Sequence, residues 1–554
     1  MRIPIAFVAA LTLLEPGCHR ALGAASPPYD VVVYGGTAAG LAAAVQARAM
    51  GRTVVLVEPG QRLGGLTSGG LGNTDIGNKR AVGGLARSFY ERVAAHYAKP
   101  AAWVQETREE YAKRGAIGNQ GHGGEDPLAV STGRPTMWVF EPKVAEGILH
   151  EMAAEANVPV RFGQRLDRAA GVVRNGTAVA SIRMKTGETY EARVFVDATY
   201  EGDLMAAAGV AYAVGREGNA QYGETLNGVQ TRNAKEHQFR VRVDPWRVPG
   251  HPESGLLAGI HDGGPGSEGE GDRRVQAYNF RMTLTDAPAN RLPIPAPEGY
   301  DPARYELLRR YVAAGVWDAI ALNSPMPNRK TDVNNHGAFS SDHIGANYDW
   351  PGGDDATRDR IFRDHVAYVQ GLWYFLQNDP RLPAAVREEA GKWGLCRDEF
   401  AGSDHWPPQL YVREARRMVG EAVMTEAHCT GRLRAEDSIG LAAYGMDSHN
   451  VQRYVADGAA RNEGDVQVPV RGPYPVSYRA ITPRRAEVTN LLVPVALSAS
   501  HIAYGSIRME PVFMVLGQSA ATAASLAIDG NGVVQDVAYE KLRGRLLRDG
   551  QILQ

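Results

Sequence analysis

The feature that most constrains the fold is a strand, a glycine-bearing turn, a helix and a second strand near the start of the chain. Residues 30–34 (DVVVY) form an apolar, β-rich run that leads into the turn 35–40 (GGTAAG). An alanine-rich helix is predicted over 41–50, and residues 53–58 (TVVLVE) predict a second buried strand that ends in an acid. Two buried strands joined by one helix form a parallel βαβ unit, so an α/β fold is predicted.

The turn between these elements has the pattern of a dinucleotide-binding site. Gly35 and Gly40 occupy the first and last glycine positions, and Thr37 occupies the middle one. In such sites the phosphates lie at a helix N-terminus, whose dipole favours negative charge. Glu58, about 20 residues on, is placed to accept hydrogen bonds from ribose hydroxyls. The sequence therefore predicts a Rossmann-like nucleotide site, with the Thr37 hydroxyl as a further phosphate donor; a βαβ unit that binds nothing is the alternative.

The residues after Glu58 favour FAD over NAD. Residues 59–72 (PGQRLGGLTSGGLG) resemble the Arg-x-Gly-Gly extension of flavoproteins, and residues 197–203 (DATYEGD) resemble the Ala-Thr-Gly signature of the same superfamily. Residues 517–524 (GQSAATAA) are similar to the helix whose N-terminus faces the isoalloxazine carbonyl, although a packing helix of small residues is the alternative. The predicted residues for non-covalent FAD binding are Gly35, Gly36, Thr37, Ala38, Ala39, Gly40, Glu58, Arg62, Gly64, Gly65, Thr199, Gly517, Gln518 and Ala520.

Together these stretches resemble the bacterial FAD-dependent oxidoreductase family, whose flavin part is distantly similar to the flavin-binding subunit of heterodisulfide reductase. The likeness covers nearly the whole chain. It also rests on residues 410–417 (LYVREARR), 447–450 (DSHN), 498–501 (SASH) and 508–511 (RMEP). The resemblance implies redox chemistry without defining a substrate. The iron–sulfur ligands of the distant relative have no counterparts here.

The candidate catalytic residues are His501, Arg508, Glu510 and His405. Oxidation of a carbon centre needs a base for the accompanying proton, and histidine suits that role because its pKa lies near neutrality. His501 is the first choice because it precedes the closing flavin helix. A structural histidine is the alternative for His501, and an ion pair with each other is the alternative for Arg508 and Glu510.

Three arginines, Arg413, Arg416 and Arg417, are predicted to share one helix face because of their i, i+3, i+4 spacing. They are candidates to clamp an oxyanion, and a solvated or domain-bridging basic face is the alternative. No pair of His, Asp or Cys residues has a recognised metal-ligand spacing, so no metal is predicted. Cys396 and Cys429 are enough for one disulfide, and the sequence leaves their pairing open.

The 554 residues exceed the size of one hydrophobic core, which predicts two domains. One positive charge followed by a short apolar run is typical of a signal peptide, so the protein is expected to be periplasmic or extracellular, with no transmembrane segment. A lipid anchor at Cys18 is disfavoured by Glu15 and Pro16. The predicted boundaries are a signal peptide over 1–25, an FAD-binding domain over 29–214 and 480–554, and a larger inserted α+β substrate domain over 215–479.

Composition and charge narrow the range of possible functions. The net charge is −2 and the basic residues are scattered, which excludes a nucleic-acid partner. The sequence predicts hydride transfer to FAD from a small polar substrate, hydroxylated like a sugar or polyol, with an unidentified electron acceptor. The alternatives are a lyase or isomerase that retains its flavin without net redox change, and a non-catalytic binding protein on a flavoprotein fold.

Overall fold

The computed structural model of the protein describes residues 28–114, 126–319, 322 and 324–554. The predicted signal peptide and Cys18 lie outside the described residues. Both Cys396 and Cys429 are buried free thiols.

The first sheet contains the predicted βαβ unit. Its order is β3-β2-β1-β6-β5-β4, in which β1, β2, β3 and β6 are parallel and the β4–β5–β6 meander is antiparallel. These strands are β1 (Tyr29–Tyr34), β2 (Val54–Val57), β3 (Val160–Arg161), β4 (Val172–Asn175), β5 (Ala178–Arg183) and β6 (Thr189–Asp197). The first helices are α1 (Ala38–Ala49), α2 (Gly84–Tyr97), α3 (Arg108–Lys113), α4 (Pro127–Thr132), α5 (Pro142–Glu155) and α6 (Asp203–Ala207).

The middle of the chain is built differently, around an antiparallel five-stranded sheet of order β10-β11-β8-β12-β9. The strands after β6 are β7 (Tyr212–Ala213), β8 (Met282–Thr285), β9 (Arg291–Leu292), β10 (Pro325–Met326), β11 (Lys330–Val333), β12 (Gly394–Cys396), β13 (Arg417–Met418), β14 (Ser438–Ala442), β15 (Met446–Ser448), β16 (Gln452–Ala456), β17 (Ala459–Glu463), β18 (Val466–Val468), β19 (Tyr474–Ser477) and β20 (Leu491–Leu492). The helices after α6 are α7 (Asn219–Tyr222), α8 (Glu306–Ala313), α9 (Asp355–Asn378), α10 (Ala384–Gly391), α11 (Glu426–Cys429), α12 (His501–Ile507), α13 (Glu510–Asp529) and α14 (Tyr539–Arg548).

The end of the chain returns to the first sheet. Strand β20 pairs in parallel with β6, and α13 packs along α1 so closely that a Cβ on Gly517 would lie 2.1 Å from the Ala39 carbonyl oxygen. One hydrophobic core runs from β1 through α9 to α13. The fold class is therefore the predicted α/β one, whereas the boundaries at 214 and 480 stay predictions.

One helix prediction fails. Residues 410–416 are not helical, and Arg417 opens β13, so the three arginines do not share a helix face. Helix α13 begins at Glu510, so residues 517–524 lie inside the helix and not at its N-terminus. Among the described residues, α13 is the one helix whose length and composition would suit a membrane span, and nearly all of its apolar stretch is buried inside the protein.

Candidate functional site

A cleft of about 570 Å³ lies at the carboxyl ends of β1, β2 and β6. This edge of a parallel sheet is where α/β proteins bind nucleotides. Six of the predicted cofactor residues line it together with residues outside the predicted set, notably Gln61, Arg165, Tyr200, Glu201, Ser403 and Gln409. The six are Gly35, Thr37, Glu58, Arg62, Gly65 and Thr199.

Glu58 is held at the end of β2 by two backbone N–H groups. Gly36 donates to its Oε2 and Gly60 to its Oε1, each at 2.5 Å. Burial raises the pKa of Glu58 to about 7, although the two N–H groups act in the opposite direction. The carboxyl group is thus fixed in the cleft and retains lone pairs for a further donor.

The glycines of the turn allow backbone to approach backbone. Gly35 has φ of +105°, and a Cβ there would lie 2.8 Å from the Ala198 carbonyl carbon. A Cβ on Gly40 would lie only 1.9 Å from the Gly35 oxygen. Thr37 does not have the proposed role of phosphate donor: its hydroxyl donates to the Ala198 oxygen at 2.8 Å and accepts from Gly40 N as the N-cap of α1. The N-terminus of α1 itself therefore remains the predicted phosphate site in this turn.

The glycine-rich loop after Glu58 links the cleft to the middle of the chain. Gly64 N donates to the Gly36 oxygen at 2.7 Å, and the N–H groups of Gly72 and Asn73 donate to the Asp332 carboxylate at 3.0 and 2.9 Å. Arg281 binds the same carboxylate, and its Nη2 also donates to the Asn73 oxygen at 3.1 Å. A wall of the middle part of the chain therefore packs directly on this loop.

Beyond that wall lies a buried polar group of residues, named here the His449 cluster: Asp342, Tyr411, Arg413, Asp447, His449 and Arg508. His449 Nδ1 lies 2.8 Å from Asp342 Oδ2, and its Nε2 lies 3.5 Å from Asp447 Oδ2. Arg413 pairs with Asp342 at 2.9 Å, and Arg508 pairs with Asp447 at 3.1 Å.

Tyr411 joins the two halves of the His449 cluster. Its hydroxyl accepts a hydrogen bond from Arg508 at 2.7 Å, and its ring lies 4.4 Å from the Arg413 guanidinium.

The charged groups of the His449 cluster shift one another's pKa values. Burial and Arg413 lower the pKa of His449, but Asp447 and Asp342 raise it, and the net pKa is above the usual 6.5. Burial raises the pKa of Asp342, but Arg413 and His449 hold the carboxyl below its ordinary value. His449 and Asp342 thus form a dyad. Asp342 binds Nδ1 of the imidazole, which makes its two ring nitrogens chemically distinct.

His501, the first-choice base, lies next to this cluster without entering it. Its Nδ1 is 2.9 Å from both oxygens of Glu414, and its Nε2 is 2.9 Å from Ser448 Oγ. It is 2% exposed, so both ring nitrogens are engaged inside the protein. This geometry favours the structural alternative for His501, and a base role for it stays a prediction.

Glu510 and Arg508 do not pair with each other, contrary to the alternative considered for them. Glu510 is buried at the first turn of α13, where it accepts hydrogen bonds from the Thr67 hydroxyl at 2.6 Å and from the Tyr200 hydroxyl at 2.7 Å. Tyr200 in turn accepts from Leu66 N at 2.9 Å. The closing helix is thereby tied to the glycine-rich loop and to the cleft.

The comparison with family models gives one match, to FAD dependent oxidoreductase, over residues 30–546. The chain belongs to the FAD-dependent oxidoreductase family. The match spans every element that builds the cleft and the His449 cluster. No curated protein matches the chain. The more distant likeness to the flavin-binding subunit of heterodisulfide reductase stays a prediction.

Solved structures show only a partial likeness to this chain. The OxyS anhydrotetracycline hydroxylase from Streptomyces rimosus is 16% identical, with a TM-score of 0.22 over 35% of this chain and 36% of that one. The L-amino acid deaminase from Proteus vulgaris is 16% identical, with a TM-score of 0.23 over 35% of this chain and 54% of that one. The chain therefore spans about a third to a half of these relatives.

The cleft fits FAD. The turn at the N-terminus of α1 contains glycines, whose lack of a side chain leaves room for a pyrophosphate, and Glu58 offers a carboxylate for the ribose. Arg62 borders the cleft and pairs with Glu146. FAD, when bound, would accept the electrons. The protein's own residues bind and orient the cofactor and handle protons.

Several predicted residues do not line the cofactor cleft. Five of them belong to the turn or loop that forms the cleft but are not among its lining residues: Gly36, Ala38, Ala39, Gly40 and Gly64. Gly517, Gln518 and Ala520 lie inside α13, not at its N-terminus, because the helix begins two turns earlier. Gln518 Oε1 accepts from Leu85 N at 2.8 Å, which favours the packing alternative.

His405 is not part of the His449 cluster. It lies in the loop 400–409, which borders the cofactor cleft, and its Nδ1 is 3.0 Å from the Glu399 carbonyl oxygen. Its φ is +62°, a strained value for a non-glycine residue. A catalytic role for His405 is not supported by this position.

One group of acids among the described residues has metal-like spacing, namely Glu141, Asp398 and Glu399. The Lys330 ammonium lies among them, at 2.7 Å from Glu141 and 2.6 Å from Glu399. The buried Lys330 ammonium thus occupies the position that a metal ion would take among these acids.

Sequence reasoning missed His449 and Asp342 as functional candidates. His449 stood in one of the motifs that carried the family resemblance, which is a usable signal. Asp342 stood in no motif, and only the fold brings it to His449, 107 residues away in sequence.

Proposed function

We propose that this oxidoreductase transfers hydride to FAD from a small polar, hydroxylated substrate bound between the glycine-rich loop and the His449 cluster. The observation that carries the proposal is a set of buried polar atoms without a hydrogen-bond partner in the described structure. They are Arg413 Nε, Arg508 Nε, Asn279 Oδ1, Asn450 Oδ1 and Asp465 Oδ2. Buried polar atoms are nearly always hydrogen-bonded, so such a concentration favours a polar ligand.

The dyad of His449 and Asp342 supports a role in proton transfer. Oxidation of an alcohol to a carbonyl compound removes a hydride from carbon and a proton from oxygen. We assign the proton to His449 Nε2, because its 3.5 Å separation from Asp447 is too long for a strong hydrogen bond. Asp342 holds Nδ1 and stabilises the imidazolium that forms.

The two arginines support orientation of the substrate. Arg413 lies over the ring of Tyr411 and Arg508 binds its hydroxyl, and each arginine is already paired with a carboxylate of the cluster. Their positive charge is therefore balanced, which favours a neutral hydroxylated substrate over a strongly anionic one.

The test is an anaerobic screen of sugars, polyols and hydroxy acids against the FAD-loaded protein, with flavin bleaching followed by absorbance. Bleaching by a hydroxylated compound, lost in His449→Gln while FAD remains bound, supports the proposal. Turnover without bleaching would assign the protein to a lyase or isomerase. A protein that takes up no FAD would be a non-catalytic one.

We also propose that the protein is exported, on the basis of the charged and apolar pattern of residues 1–25. Fractionation of cells that express the full chain tests this. Recovery of a shortened chain beginning near Ser26 in the periplasm or medium is the expected result, and retention of the full-length chain in the cytoplasm contradicts it.

A further inference from the structure

Glu510 is a buried carboxyl group that is connected to the cofactor cleft by a hydrogen bond from one residue of the cleft wall. Tyr200 lines the cleft, and its hydroxyl donates to Glu510 Oε1 at 2.7 Å. On the other side, the Thr67 hydroxyl donates to Oε2 at 2.6 Å. Thr67 belongs to the glycine-rich loop, so Glu510 joins the loop and the cleft wall at the start of α13.

The groups that face Glu510 supply no positive charge. The titratable ones in the described structure are tyrosines from three elements: Tyr200 after β6, Tyr90 on α2 and Tyr504 on α12. Arg508 is near in sequence, but its guanidinium pairs with Asp447 and Tyr411. A buried carboxylate without a cation is costly, so this group accepts a proton readily when negative charge increases nearby.

We propose that the Glu510 carboxylate takes up a proton from solvent when the flavin is reduced, with Tyr200 as its hydrogen-bonded link to the cofactor cleft, and releases it on reoxidation. Each reduction delivers two electrons and one proton to the flavin, and Glu510 takes one further proton. On reoxidation both electrons pass to the electron acceptor, the flavin gives up its proton, and Glu510 releases its own proton to solvent. This inference rests on the FAD cofactor alone, not on the proposed substrate.

Charge repulsion gives the physical reason for the coupling. Glu510 lies in the first turn of the 20-residue helix α13, whose N-terminal dipole favours the carboxylate form while no further negative charge is near. Two negative charges in one buried region repel each other, so charge added to the flavin raises the proton affinity of Glu510. Burial already raises the pKa of Glu510 to about 7, which places the change within the working range of pH.

The test is the pH dependence of the flavin reduction potential in the FAD-loaded protein, measured between pH 7 and 8 by spectroscopic redox titration against a reference dye. Each proton taken up changes the equilibrium constant tenfold per pH unit, which is about 30 mV for a two-electron couple. Because the pKa of Glu510 is about 7 before reduction, the wild-type protein should take up between one and two protons per two electrons, approaching two towards pH 8, whereas Glu510→Gln should take up one.

The matched control is Glu399→Gln. Glu399 is also a buried carboxyl whose pKa is raised to about 7, mainly by burial, but it lies beside Lys330 and away from the cleft. Its variant should keep the wild-type slope. An unchanged slope in Glu510→Gln, or an equal loss in both variants, overturns the proposal.

A second variant keeps the proposal testable if Glu510→Gln does not fold. The hydrogen bond from Tyr200 lowers the pKa of Glu510. Tyr200→Phe should therefore move the pH at which the slope changes upward, and no movement contradicts the link. In the wild-type protein, a pH-indicator dye in unbuffered solution counts the protons directly, and one proton per two electrons across pH 7–8 also overturns the proposal.

Discussion

The affinity of the protein for FAD should depend on pH through Glu58. In the cleft, this carboxyl group is fixed by Gly36 N and Gly60 N, and burial raises its pKa to about 7. Ribose hydroxyls donate more strongly to a carboxylate than to a neutral carboxylic acid. FAD should therefore bind more tightly above pH 7 than below it.

The expected magnitude follows from the pKa. At pH 6 roughly a tenth of the Glu58 side chains are ionised, whereas at pH 8 roughly nine-tenths are, so the Kd should be about tenfold higher at pH 6. Hydrogen bonds to charged groups are worth about 1 to 1.5 kcal/mol more than neutral ones, and 1.4 kcal/mol is tenfold in Kd. Glu58→Gln should therefore bind FAD about tenfold more weakly at pH 8 and show little change at pH 6.

The assay is titration of FAD into the apoprotein, followed by quenching of flavin fluorescence at several pH values. Glu155→Gln is the matched control, because Glu155 is an exposed acid on α5 that pairs with Arg92 outside the cleft. Glu201 is a second carboxyl group that lines the cleft, and its pKa is also raised by burial. A pH dependence that persists unchanged in Glu58→Gln would refute the reasoning and assign the effect to Glu201.

Three further predictions concern the turn, the His449 cluster and a buried ion cluster. Gly40→Ala places a Cβ 1.9 Å from a backbone oxygen and should be purified without FAD, whereas Gly147→Ala, which has open space around it, should keep FAD. His449→Gln should slow substrate-driven flavin bleaching by about 10² to 10⁴ with FAD content unchanged; because the base must be neutral, the wild-type rate should rise with pH through a pKa above 6.5. Lys330→Met should lower the free energy of unfolding by about 3 to 5 kcal/mol, because it removes the buried cation that Glu141, Asp398 and Glu399 share. Chemical denaturation should show a smaller loss at pH 5 than at pH 8, since burial raises the pKa of Glu399 to about 7 and its protonation removes one of the charges that Lys330 balances; equal losses would contradict this account.

Local pattern was enough to predict the nucleotide half of the fold. The alternation of β-rich runs, a glycine turn and an alanine-rich helix predicts β1, α1 and β2, because strand and helix formation and the glycine turn depend on residues close in sequence. The position of Glu58 at the end of β2 follows from the same local order. Family membership and the FAD cofactor followed from motifs of this local kind.

The candidate active site depended on contacts that no local pattern contains. His449 meets Asp342 across 107 residues, and Glu510 meets Thr67 across 443. Motif position alone favoured His501 as the base, but tertiary packing engages both of its ring nitrogens. The sequence by itself determined the βαβ unit and its nucleotide-binding pattern, since both are made by residues close in sequence; only the tertiary structure decided which buried acids and bases face one another, since charge pairing in a core is set by the packing of distant segments.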